Sequence, residues 1–103
     1  MKQALLLEGD DHYRSQLAAV VAEVFPGVGI DEYRTLDPAQ LHTRHVDIAI
    51  INLDLCNNSA LVLIKKLSAN GTLCIATSHS CDAVITALQA GAKGYLLTTT
   101  ALD

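Results

Sequence analysis

Apolar residues in this chain fall into two alternating kinds of segment. Gln3 to Leu7, Ile48 to Ile51, Thr72 to Thr77 and Gly94 to Leu97 are short strand-like runs, and the contiguous Ile48 to Ile51 has the pattern of a strand covered on both faces, with Thr72 to Thr77 another buried one. Between them apolar positions recur every three or four residues, as on one face of a helix. Such stripes are Leu17, Val20, Val21 and Val24, then Leu61, Leu63, Ile64 and Leu67, then Val84, Ile85 and Leu88 within Ser80 to Ala90. Val28 to Tyr33, with Ile30 and Glu32, reads as a weaker strand at a sheet edge, and Asp37-Pro38 opens a short helix carrying Leu41.

The punctuation agrees with these elements. Glu8-Gly9-Asp10-Asp11 ends the first strand and offers Asp10 or Asp11 as a cap for the helix that follows. Pro26-Gly27 stops that helix, while Asn70-Gly71 and Gly91 close the later ones. Strand alternating with helix throughout predicts an α/β domain with a doubly wound parallel sheet and right-handed crossovers. At 103 residues, without repeats or a linker, residues 1–103 form a single domain.

In open α/β sheets ligands collect beyond the carboxyl ends of the strands. The stretch Asp47 to Leu61 marks that edge, because its buried run ends abruptly at Asn52 and a polar loop follows. Composition narrows the chemistry. Half the residues are hydrophobic and four are aromatic, so the core is built from Leu, Ile, Val and Ala; a net charge of -4 leaves no basic footprint for nucleic acid. No apolar run approaches the ~20 residues of a membrane span, and the first residues lack the layout of a signal peptide, which gives the expectation of a cytoplasmic protein.

Cys56, Cys74 and Cys81 form no Cys-x-x-Cys pair and read as reduced thiols, with a redox pair of Cys56 and Cys81 as the alternative. His12 and His79, even with Asp10 or Cys81, lack metal-ligand spacing and read as surface histidines. Ser78 and Ser80 lack the surround of a hydrolase nucleophile. No metal and no cofactor is expected.

Asp47 to Leu61, DIAIINLDLCNNSAL, resembles the third strand and following loop of the receiver domains of two-component response regulators, D-L-V-L-L-D-L-x-L-P-x-x-D-G-L. Gln89 to Leu97, QAGAKGYLL, is similar to that family's A-G-A-x-G-Y-L-L-K, and Leu5 to Arg14 to its L-L-V-E-D-D-P-x-x-R. The resemblance covers the whole chain and implies a receiver, flavodoxin-like sheet of five strands in the order 2-1-3-4-5. It also implies a fifth helix, which Thr98 to Asp103 merely begins, so that helix reads as truncated or missing.

Laid on residue by residue, the phosphoacceptor aspartate of the family falls on Asn52, its magnesium-binding acid pair on Glu8 and Gly9, and its lysine on Thr98. Its proline falls on Cys56 and its glycine on Ala60. Thr77 matches the hydroxyl residue that follows the phosphoryl group, and Tyr95 the aromatic switch residue. Glu8, Gly9, Asn52, Thr77 and Thr98 thus make a degenerate phosphoacceptor pocket. A carboxamide forms no acyl phosphate, one carboxylate of the metal pair is gone, and without those acids a lysine has no counter-charge. A second register, with Asp10-Asp11 as the pair and Asp54 as acceptor, needs gaps in two matched segments and places Asp54 about 6.6 Å further along the strand direction. Asp54 therefore reads as a solvated loop acid.

The resemblance implies signal transduction without phosphotransfer: not an enzyme but a module for protein interaction or dimerisation, in the N-terminal part of a LuxR-type transcription regulator. DNA would be met only by an output domain outside this chain. The expected partner is a second copy, to which the first helix offers Leu17, Val21 and Val24 and the last strand Leu96, with a regulatory protein as a further partner. The alternative is a magnesium-dependent phosphatase or phosphotransferase of Rossmann-like build, using Asp54, Asp10 or Glu8.

Overall fold

The computed structural model describes residues 1–35, 45–55 and 59–98. The expected helix at Asp37-Pro38, Cys56 and the stretch 99–103 lie outside the described residues. Among the described residues eight elements follow in order: β1 (Gln3–Leu7), α1 (Asp11–Val24), β2 (Gly29–Tyr33), β3 (Ile48–Asn52), α2 (Ser59–Ala69), β4 (Leu73–Ser78), α3 (Val84–Ala90) and β5 (Gly94–Leu97). The strands form one sheet in the order β2-β1-β3-β4-β5, every pairing parallel.

Why the strand runs are contiguous is visible in the two cores. Successive side chains of a strand point to opposite faces. Ala4, Leu6, Ile48 and Ile50 meet Leu17 and Val21 of α1 on one face. Leu5, Leu7, Ala49, Ile51, Cys74 and Ala76 meet Leu63, Ile64 and Leu67 of α2 and Ala87 and Ala90 of α3 on the other. All five residues of β3 are buried, which makes it the centre of the sheet.

Asp10 caps α1, its Oδ1 accepting the Tyr13 N–H at 3.0 Å. Gly91 closes α3 with φ 118°, a left-handed conformation that disfavours residues with a Cβ.

Two expectations need correction. Leu17 and Val21 are buried against the sheet and are not offered to a partner; of that stripe Val24 is exposed, and Phe25, where the backbone leaves the helix, packs into the core in its place. The third helix begins at Val84, not Ser80, and turns Ala87 and Ala90 inward, leaving Ile85 66% and Leu88 47% exposed. The cause is closeness. A Cβ on Gly91 would run into the side chain of Ser68 on α2, so the end of α3 lies tight against its neighbour, where only small side chains fit beneath it.

Candidate functional site

Leu7 of β1 stands beside Ile51 of β3 in register, so the next residues along, Glu8 and Asn52, meet at the carboxyl edge of the sheet. Both are buried, at 3% and 6% exposure. A carboxylate out of water needs donors. Glu8 has two: Asn52 Nδ2 donates to Oε1 at 2.7 Å and the Asp10 N–H donates to Oε2 at 2.9 Å. The other end of the carboxamide is also used, since Asn52 Oδ1 accepts the Asp54 N–H at 2.7 Å. A carboxylate at position 52 could serve only the second of these contacts.

Gly9 lies under the loop after β3. A Cβ there would stand 2.7 Å from Leu55 Cδ2, so the Leu55 side chain fills the space that an acidic residue at this position would need. Thr98, just past β5, donates its N–H to the Ser78 carbonyl at 2.8 Å and lines a cavity of about 200 Å³ with Glu8, Asp10, Tyr13 and Asn52. The Tyr13 hydroxyl is buried without a hydrogen-bond partner among the described residues; burial first, and the Glu8 charge second, push its pKa up.

Thr77 pairs in register with Asn52 and with Leu96, so it shares their side of the sheet, but it does not line the cavity. It is 1% exposed and its hydroxyl also lacks a partner among the described residues. Tyr95, one residue out of phase, packs against the other core and donates its hydroxyl to the Ser80 carbonyl at 2.8 Å. The expected pocket residues thus divide: Glu8, Asn52 and Thr98 share one cavity, Gly9 sits beside it beneath Leu55, and Thr77 and Tyr95 lie elsewhere along β4 and β5.

Asp54 is more than a solvated acid. Its Oδ1 accepts the Ser78 hydroxyl at 2.8 Å, and its Oδ2 lies 2.9 Å from the His79 N–H and 2.8 Å from His79 Nδ1. Burial pushes the Asp54 carboxyl up, but the hydrogen bonds from His79 and Ser78 outweigh it and the pKa is lowered; the same bond to Asp54 raises that of His79. Tyr13, Leu55 and this cluster are the site residues that sequence reasoning missed. Tyr13 had a signal, because it stands four and eight residues before Leu17 and Val21 on the inward stripe. The cluster had none, since it joins two loops distant in the chain.

The magnesium ion of the resembled family does not fit these residues. Both Glu8 oxygens accept hydrogen bonds, the position-52 group directs hydrogens at Glu8, and Leu55 covers Gly9. Among the described residues no three of His, Cys, Asp or Glu gather as a metal set. Of the cysteines, Cys74 is buried, which pushes its thiol pKa up, and Cys81 is exposed.

A five-stranded parallel sheet in this order, with a polar cluster beyond the ends of β1, β3 and β5, defines the receiver-type fold. Solved structures agree. The chain is similar to a response regulator from Thermotoga maritima (TM-score 0.79, 16% identity, 100% of this chain and 89% of that one) and to a LuxR-family two-component response regulator from Aurantimonas (0.74, 15%, 97% and 76%). It is also similar to a Burkholderia pseudomallei response regulator whose structure carries a phosphorylated aspartic acid and a calcium ion (0.78, 18%, 99%), of which it spans 62% of the length. At these identities the likeness establishes the fold. No protein-family model and no curated protein matches the chain.

Proposed function

We propose that this domain is a signal-transduction receiver that works without phosphoryl transfer, as a module for protein contact and self-association within a DNA-binding regulator of the LuxR type. The observation that carries the reading is the 2.7 Å hydrogen bond from Asn52 Nδ2 to Glu8. At the position where the resembled family holds its acceptor, this chain has an amide whose N–H donates to its neighbour's buried carboxylate. The receiver-type neighbours, one of them of the LuxR family, support the signalling role. The described residues contain no helix long and apolar enough to cross a membrane.

The reading as a metal-dependent phosphatase or phosphotransferase gains no support: Asp10 caps a helix, Glu8 is occupied by Asn52, and Asp54 is held by Ser78 and His79. Treatment with acetyl phosphate and Mg²⁺, or with beryllofluoride and Mg²⁺, tests the proposal. Intact mass and backbone amide spectra are expected to remain unchanged. A phosphoryl adduct mapped to Asp54 would overturn it.

A further inference from the structure

The contacts around Asp54 form a continuous chain across the functional edge. Glu8 accepts from Asn52, Asn52 accepts from the Asp54 N–H, and the Asp54 carboxylate accepts from Ser78 and His79 at the end of β4. Ser80 continues it in two ways: its N–H donates to Ser78 Oγ at 3.3 Å and its carbonyl accepts the Tyr95 hydroxyl of β5. The turn between β4 and α3 is therefore tied from below by one carboxylate and from the side by one phenol. Between Ser78 and the start of α3 at Val84 the turn holds no other side chain that bonds to the β3 edge among the described residues.

We propose that Asp54 is a built-in anionic latch that holds the β4–α3 turn, and through it Tyr95, in one setting, and that His79 makes this latch responsive to pH. A single carboxylate with three donors converging from one dipeptide is the strong, charge-assisted kind of hydrogen bonding. The charged groups facing His79 are Asp54, from the loop after β3, and Asp82, from the stretch before α3; β5 brings the Tyr95 phenol to the same turn. Both acids favour the imidazolium.

The direction with pH follows from the two groups. His79, raised above 6.5 by Asp54, contributes in full below 6.5 and loses its contribution as pH climbs through the raised value. Asp54, lowered from 3.8, contributes in full above 3.8 and loses it as pH falls through the lowered value. The latch is tightest between these limits and loosens, without opening fully, on the alkaline side, because the Ser78 hydroxyl and the His79 N–H still donate there. This rests on the geometry of the loops and not on the signalling role proposed above.

Hydrogen exchange on the full chain, corrected for intrinsic rates, tests it in wild type, Asp54→Ala, Asp54→Asn and His79→Gln. Asp54→Ala is expected to speed exchange of segment 78–83 at least tenfold at pH 6 and to raise exchange around Tyr95, with β1 and β3 still protected. If the alanine variant does not fold, Asp54→Asn carries the test with a smaller effect in the same direction. His79→Gln is expected to abolish the loss of protection that wild type shows between pH 6 and pH 8. Unchanged exchange of the turn in both Asp54 variants, or the wild-type pH response surviving in His79→Gln, would overturn the latch.

Discussion

Asn52 is at once a donor and an acceptor, and each half of its amide has a partner, the buried Glu8 carboxylate for the nitrogen and the Asp54 N–H for the oxygen. Asn52→Asp would place a carboxylate oxygen about where the amide nitrogen now stands, 2.7 Å from Glu8 Oε1. Two carboxylates at that distance do not both ionise; they share a proton or move apart. The variant is expected to lose about 2–3 kcal/mol of stability at pH 7, with the loss shrinking toward pH 5 as the shared proton binds. Urea melts at the two pH values check this, and a variant as stable as wild type at pH 7 would show that the edge is wetter than its burial implies. The sequence located Glu8 and Asn52, because each ends a run whose pattern fixes its place at a strand terminus. It was silent on Leu55 over Gly9 and on Asp54 against His79, which are contacts between loops and leave no periodic trace.

At the level of the element, α3 shows what hydrophobicity alone misreads. Val84, Ile85 and Leu88 are its strongest apolar residues, but Ala87 and Ala90 face the sheet because the helix end runs close to Ser68 of α2. Size decided the inward face here. Ala87→Leu is expected to cost roughly 1–3 kcal/mol by overpacking a site that is 0% exposed, whereas Ile85→Ser should fall within about 0.5 kcal/mol of wild type. Denaturant midpoints of the two variants measure the difference; the reverse order would restore the face that periodicity suggested. The strands were easier. β1, β3 and β5 begin and end within a residue of their apolar runs, since β1 and β3 are buried along the sheet centre and turn polar only at their ends, while the half-buried β5 is bounded by its turn residues.

For the whole molecule, the parallel sheet and its order could be read from the alternation of elements together with three motif resemblances, but the surface left open for a partner could not. Leu17 and Val21 are spent inside the domain, whereas Ile85 and Leu88 stand exposed on the helix that packs beside β5. Burying a few hundred Å² of such surface at ~25 cal/mol per Å² favours association by several kcal/mol before the entropic cost of pairing. The expected outcome is a phosphate-independent homodimer through the α3 and β5 side, seen by sedimentation at tens of micromolar and loosened by Leu88→Ser. A monomer at that concentration defeats the pairing and leaves the fold untouched.

The seating of Leu55 against Gly9 also bears on reversibility. An aspartate at position 9 must first push Leu55 aside, and an aspartate at 52 collides electrostatically with Glu8. A lysine at 98 faces neither obstacle, for the cavity it would enter is lined by Glu8 and Asp10. Any stepwise route from this sequence to a charged pocket therefore has a preferred order, with the cation arriving before the anions it will later hold. Taken one at a time in the opposite order, the same three substitutions meet the Leu55 side chain and the Glu8 charge before any cation is present.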